Sequence, residues 1–253
     1  MARYFIQVSY KGTNYAGFQI QKNANSIQSE IEKALKVFFK VEFTLTCSSR
    51  TDAGVQALNN YFHFDSNIIP DQGKLNKIVY NLNSILPRDI VIKSILSVPE
   101  NMHARFSAKS RIYKYYIYQQ KDPFREDRAF YYPYNLDLSL LNAAASLIKE
   151  YKDFTSFSKR NTQVKTFVCD ICTSKWINED GLLIYEVEGN RFLRGMVRGL
   201  VGTMLRVGTG KMSVTQLKKI IEAKDCSLAD FSVPPHALFL IDIKYPVHVG
   251  SFK

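Results

Sequence analysis

The hydrophobic period of this chain switches repeatedly between two and about 3.6 residues, and that switching limits its fold more than any other feature. Residues 3–10 alternate, placing Tyr4, Ile6, Val8 and Tyr10 on one face of a strand. After a turn at Gly12-Thr13-Asn14, residues Ile27, Ile31, Ala34, Leu35, Phe38 and Phe39 keep helical spacing to about Lys40, behind a cap at Asn25 or Ser26. Strands are predicted over 43–47, 60–64 and 90–98, with a helix over 74–86 that Pro87 closes. A second cycle starts near residue 105. It holds a strand over 111–118, a helix over 138–151 behind Asp137, strands over 166–176 and 182–188, helices over 191–206 and 213–223, and a final strand over 237–245. Strands and helices mix without strict alternation, which predicts an α+β fold with largely antiparallel sheet. Each half opens on a long strand and carries a helix, so the chain divides into two halves, 1–105 and 106–253, with no repeated sequence and no long linker.

Composition narrows the class. The 253 residues are 46% apolar and 23% charged, which excludes disordered and collagen-like chains. Lys and Arg total 34 against 23 Asp and Glu, a net charge of +11, which points to a polyanionic partner such as nucleic acid. The first ten residues lack a basic segment followed by an apolar one, so no signal peptide is expected. The longest apolar candidate, 138–148, is interrupted by Asn142 and is too short for a membrane helix. The four cysteines, Cys47, Cys169, Cys172 and Cys226, are expected as reduced thiols of a cytoplasmic protein.

Most catalytic motifs are absent. Gly208-Thr209-Gly210-Lys211 resembles the end of a phosphate-binding loop, but Leu205 stands where its first glycine belongs and Met212 where its Ser or Thr belongs. Cys169-x-x-Cys172 has no second pair at zinc spacing. His63, His103, His236 and His248 form no local cluster, and His63 is expected to pack between Phe62 and Phe64. A zinc-dependent base deaminase needs H-x-E and P-C-x-x-C motifs that are missing here.

Three stretches stand out. The loop 48–55 sets Arg50, Thr51 and Asp52 in succession between two strands; Asp52 is either a turn former beside Gly54 or a reactive carboxylate that a nearby arginine keeps ionised. As one helix, 191–206 would gather Arg191, Arg194, Arg198 and Arg206 on one face, opposite Phe192, Leu193, Met196, Val197, Leu200 and Met204. Its glycines 195, 199 and 202 cost about 1 kcal/mol each relative to Ala, so something approaches the backbone closely. That is tight internal packing below a solvated basic face, or a basic face against phosphates, or an arginine aimed at a carboxylate. Finally, 103–118 interleaves Arg105, Lys109, Arg111 and Lys114 with Phe106, Tyr113, Tyr115, Tyr116 and Tyr118, as in an aromatic strand or a surface that holds phosphates and stacks bases.

Taken together these stretches resemble the tRNA pseudouridine synthase A family. The hallmark G-R-T-D-x-G-V-H-A appears as Ser49-Arg50-Thr51-Asp52-Ala53-Gly54-Val55-Gln56-Ala57. The segment from Tyr10 to Gln19 resembles the family's Y-D-G-T-x-Y-x-G-F-Q opening. Ala104-Arg105-Phe106-Ser107-Ala108 with Arg111-Ile112-Tyr113-Lys114-Tyr115 resembles A-R-F-S-A followed by R-x-Y-x-Y. Asp153 to Phe157, Phe192 to Arg198 and Pro234 to Leu238 resemble three further blocks, in the family's order.

The resemblance implies the pseudouridine synthase fold, in which two α+β halves with largely antiparallel sheets flank a central basic cleft. It implies isomerisation of uridine in the anticodon arm of tRNA, nominally at positions 38–40, by a homodimer with no metal, no organic cofactor and no membrane partner. By the same resemblance Asp52 is the catalytic aspartate, Tyr113 stacks on the flipped base, and Arg198 pairs with Asp52. Arg50 helps hold or extrude the nucleotide, and Arg111 and Arg194 join the substrate-binding set. Four positions depart from the pattern: Lys11 replaces Asp, Ser49 replaces Gly, Gln56 replaces His and Ala237 replaces Gly. A non-catalytic RNA-binding protein on the same fold would account for the charge and the aromatics, but not for the joint presence of Asp52, Tyr113 and Arg198.

Overall fold

A computed structural model describes residues 1–69, 72–160 and 164–246. In chain order its strands are β1 (Ala2–Tyr10), β2 (Thr46–Cys47), β3 (Gln56–Ser66), β4 (Ile90–Val98), β5 (Ser110–Tyr118), β6 (Phe130–Tyr131), β7 (Ile171–Glu179), β8 (Leu182–Gly189) and β9 (Leu238–Lys244). The α-helices are α1 (Ile27–Phe39), α2 (Leu75–Ile85), α3 (Leu138–Ile148), α4 (Met196–Gly208) and α5 (Val214–Ala223). The fold is α+β. Its contacts form two compact units, Met1–Lys109 with the segment from Leu240, and Ser110–Phe239. The sequence reading put the division between 105 and 106; the units part between 109 and 110, and the first also takes the chain from Leu240 onward.

In the first unit β1 lies antiparallel between β3 and β4, with Ile6 opposite both Phe62 and Ile95. The short β2 pairs with β3, placing Thr46 opposite His63, and β9 continues the order beyond β3. Alternation along β1 buries Tyr4, Ile6, Val8 and Tyr10 as expected, and Phe5 on the other face is buried as well. Helix α1 starts at a capping box in which the Ser26 hydroxyl accepts from Ser29 N–H, and ends where Lys40 turns left-handed at φ 60°. It buries Ile27, Ile31, Ala34 and Leu35; α2 buries Leu75, Ile78 and Leu82 and lies against β4. Each Ile or Leu among them contributes about 1.5–3 kcal/mol of burial.

In the second unit β8 lies antiparallel between β5 and β7, and β6 pairs in parallel with the end of β5. Asp137 caps α3 by accepting from Ser139 and Leu140 N–H at 2.7 and 3.1 Å. Helix α3 packs on β7 and α4, and α5 on α3 and α4. Tyr115, Tyr185, Leu141, Phe154, Phe157, Leu200 and Met204 form the centre of this core.

Four elements differ from the expected ones. The strand expected over 43–47 shrinks to Thr46–Cys47, because side chains of α1 take the Leu45 backbone: its N–H donates to Glu32 Oε1 at 3.0 Å and its carbonyl accepts from Gln28 Nε2 at 3.3 Å. Strand β3 begins at Gln56, not residue 60. Strand β7 begins at Ile171; before it, Cys169 N–H bonds Lys152 O, outside the ladder. The helix expected over 191–206 begins only at Met196, because Gly195 takes the left-handed conformation at φ 74°. Arg191 and Arg194 therefore stand outside α4, and the four arginines do not share one helical face.

Candidate active site

The first unit carries Arg50 and Asp52 on the loop between β2 and β3. That loop is held at nearly every residue. Ser48 N–H donates to Tyr61 O at 2.8 Å, and Asn60 Nδ2 donates to Ser49 O at 2.9 Å. The Thr51 hydroxyl meets Tyr10 Oη at 2.8 Å, and Thr51 O accepts from Phe18 N–H at 3.1 Å. Asp52 O accepts from Val55 N–H at 3.2 Å, which closes the turn the sequence suggested.

The opening block packs directly on this loop. Gly17 has φ 105°, and a Cβ there would sit 3.1 Å from Thr51 O and 3.2 Å from Ala53 N. A Cβ on Gly12 would overlap the Val55 carbonyl oxygen. The backbone is thus fixed on both sides of Asp52, whose side chain is half-buried. Within its own unit the Asp52 carboxylate has no hydrogen-bond or ion-pair partner among the described residues. Arg50 is exposed. It acts on the Cys47 thiol, whose pKa is nonetheless raised because burial outweighs the pull of Arg50 and Arg105.

The second unit gathers Arg111, Tyr113 and Phe192. Arg111 and Tyr113 point to one face of β5, opposite Gly189 and Val187 of β8. Tyr113 is 8% exposed and meets Phe192 edge-to-face at 5.1 Å. Arg111 is also buried, and its Nη1 donates to Asn190 O at 2.6 Å, bracing the turn that follows β8. Arg194 is exposed, and its carbonyl accepts from Lys159 N–H at 3.0 Å.

Arg198 lies in the first turn of α4. Its Nε donates to Val233 O at 2.8 Å and its Nη2 to Phe231 O at 3.2 Å; Nη1 has no hydrogen bond within this unit among the described residues. Tyr115 Oη donates to Pro234 O at 2.9 Å, so β5 and α4 hold the same 231–234 segment. The close approach implied by the glycines is the chain's own: a Cβ on Gly199 would sit 2.7 Å from the Phe231 ring, and one on Gly202 would overlap Asp230 O. The units thus bring Arg50 together with Asp52, and Tyr113 together with Arg111.

A profile described as tRNA pseudouridine synthase matches residues 6–107 and 148–246. Over 246 residues the chain is 45% identical to the tRNA pseudouridine synthase A of Azobacteroides pseudotrichonymphae, covering 97% of this chain and 98% of that one. It is 43% identical over 246 residues to the tRNA pseudouridine synthase A of Parabacteroides distasonis, covering 97% of each. With the Exiguobacterium protein of the same name it shares 36% identity over 245 residues, 97% of this chain and 98% of that one. The chain belongs to the tRNA pseudouridine synthase family. Against the family's motif the Ser49 and Gln56 departures fit the loop. Ser49 is not among the non-glycine residues with positive φ. Gln56 Oε1 accepts from Gly12 N–H at 2.8 Å, and Nε2 donates to the Thr13 hydroxyl at 3.0 Å, so an amide ties the opening block to the loop. Sequence reasoning missed Gln56, Tyr10 and Asn60 as supports of Asp52, and Phe192 as the partner of Tyr113. Phe192, Tyr10 and Gln56 lie in motif blocks and were legible as block members but not as contacts; Asn60 carries no motif signal.

Among the described residues no three His, Cys, Asp or Glu side chains group as a metal site, and no helix is long and apolar enough to cross a membrane. All four cysteines are free; Cys169 is buried and Cys172 exposed.

Proposed function

We propose that this chain isomerises uridine to pseudouridine in the anticodon arm of tRNA, nominally at positions 38–40, with Asp52 as the essential carboxylate. The observation that carries this reading is the half-buried Asp52 on a loop fixed by Tyr10, Gly12, Phe18 and Asn60, with no partner in its own unit to neutralise it. A group that must react is held in position while its lone pairs stay available. The reaction breaks the N1–C1′ bond, turns the uracil and forms a C5–C1′ bond. The proton lost from C5 balances the one gained by N1, so no atoms or electrons enter or leave.

The target base leaves its stack, and the Tyr113 ring, propped by Phe192, offsets part of that cost. Arg198 presents Nη1 toward Asp52 in this reading, while Nε and Nη2 fix its orientation. The exposed Arg50 and Arg194 meet the phosphate backbone, and Arg111 acts by bracing Asn190. The enzyme works in the cytoplasm, in line with its free thiols, and acts as a homodimer.

The test is to map pseudouridine in unmodified tRNA transcripts by carbodiimide-dependent reverse-transcription stops, with wild type and Asp52→Asn. Stops with wild type and none with the variant, at unchanged tRNA affinity, are expected. Binding without product from either protein would favour the non-catalytic RNA-binding reading.

A further inference from the structure

Phe106 is 76% exposed, yet it does not stand on a loose loop. The turn from Met102 to Ser107 is one of the most densely bonded segments of the first unit. Arg3 Nη1 donates to Met102 O at 2.9 Å. Ala104 N–H donates to His63 Nδ1 at 3.2 Å, and Ala104 O accepts from Tyr245 Oη at 2.6 Å. His103 N–H donates to the Ser107 hydroxyl, and Ser107 N–H returns to His103 O, both at 2.9 Å. His103 Nδ1 accepts from Arg105 N–H at 3.1 Å and Phe106 N–H at 3.3 Å. A large apolar ring is thus held in water by a rigid frame, which is the reverse of what folding alone favours.

The ring's surroundings say what it suits. The His103 ring lies 4.4 Å from it, tilted by 38°, and the Arg105 guanidinium lies over it at 5.6 Å. With 76% of its surface in solvent, most of the ring stays accessible. Through His63, which accepts from Ala104 N–H and pairs with Thr46 of β2, this turn adjoins the strand from which the loop carrying Asp52 starts. An exposed aromatic ring beneath an arginine and beside a histidine ring matches an unpaired nucleotide: base on ring, phosphate on guanidinium. The chain's net charge of +11 favours a polyanion over an uncharged partner.

We propose that Phe106, with Arg105, forms a second stacking platform, which takes an unpaired base of the tRNA outside the reacting position. This rests on the proposed function for the identity of the RNA. Because the frame is already ordered, little conformational freedom is lost when a base lands.

The experiment uses Phe106→Trp. The chain has one tryptophan, Trp176, which is 2% exposed and lies in the other unit, so the introduced indole is the reporter that RNA can reach. Titrating Phe106→Trp in an Asp52→Ala background with unmodified tRNA transcript is expected to quench the introduced emission saturably. Separately, Phe106→Ala is expected to raise the Kd for the transcript at least about fivefold, while Phe106→Tyr keeps it near wild type.

Unmoved emission at saturating transcript, or a Phe106→Ala protein that binds as tightly as wild type, overturns the platform. A shift of emission with protein concentration and no RNA also overturns it, since a second copy would then cover the ring. Quenching with no pseudouridine formed by wild type would overturn the isomerase reading and leave the platform standing. Pseudouridine formation without quenching would do the opposite.

Discussion

His63 lies on β3, 7% exposed, and its Nδ1 works as an acceptor for Ala104 N–H. That bond needs a neutral ring. Burial, with Arg3 and His103 nearby, pushes its pKa down to about 4, while Asp65 pulls weakly the other way. Between pH 6.5 and 4 the unfolded chain therefore binds a proton that the folded one refuses. Stability is fully present above the unfolded value and falls as pH drops through this window, by at most about 3 kcal/mol. Urea unfolding of the wild type at pH 7 and pH 5 is expected to show the loss, and His63→Phe to show a shallower one; equal pH slopes would acquit this histidine. His103, whose pKa is lowered chiefly by burial and then by Arg3 and Arg105, shifts in the same direction. The sequence placed His63 correctly among aromatic neighbours, but nothing local to Phe62-His63-Phe64 announces a bond to a residue some forty positions away.

At the scale of elements, α4 shows where a periodic pattern stops being informative. Phe192, Leu193, Met196, Val197 and Leu200 keep helical spacing, so the run reads as helix from residue 191. The start is decided instead by contacts from outside the run. Lys159 N–H takes the Arg194 carbonyl, and the Lys159 side chain would lie 3.0 Å from a Cβ on Gly195. Likewise β3 reaches back to Gln56 because β1 continues alongside it, pairing Asn60 with Val8 and Ala57 with Tyr10, a partner that no pattern within 56–60 announces. The aromatic strand β5, by contrast, was legible nearly to the residue, since its pattern and its packing agree.

Gly202 gives the corresponding test. On an exposed helix, Gly→Ala would gain about 1 kcal/mol. Here the methyl group would overlap Asp230 O, so Gly202→Ala is expected to lower stability by about 1–3 kcal/mol, read as a reduced urea midpoint. It should also lower turnover, because Asp230 borders the segment whose carbonyls orient Arg198. A more stable variant would mean that the close approach at Gly202 is slack.

For the whole molecule, a net charge of +11 sets the expected mode of RNA binding. If phosphate contacts dominate, the Kd for tRNA transcript should weaken at least about tenfold between 50 and 200 mM potassium chloride. Filter binding across that range checks it, and a flat response would assign the affinity to base contacts instead. Charge alone, however, left open which anion is bound; the ordered motif blocks decided that, and they are a property of the whole chain rather than of any one element. The return of β9 to the first unit has a consequence for how the protein comes into being. Asn59 on β3 bonds Ile241 O, Lys109 N–H bonds Lys244 O, and the Tyr245 ring packs on Phe5 and Tyr61. The unit bearing Asp52 therefore stays short of a strand until the ribosome has made all of Ser110–Phe239, whereas that inserted stretch is contiguous and complete beforehand. During translation the later-made half is thus the earlier one to mature, and a nascent chain cannot finish its carboxylate-bearing half before the rest of the protein exists.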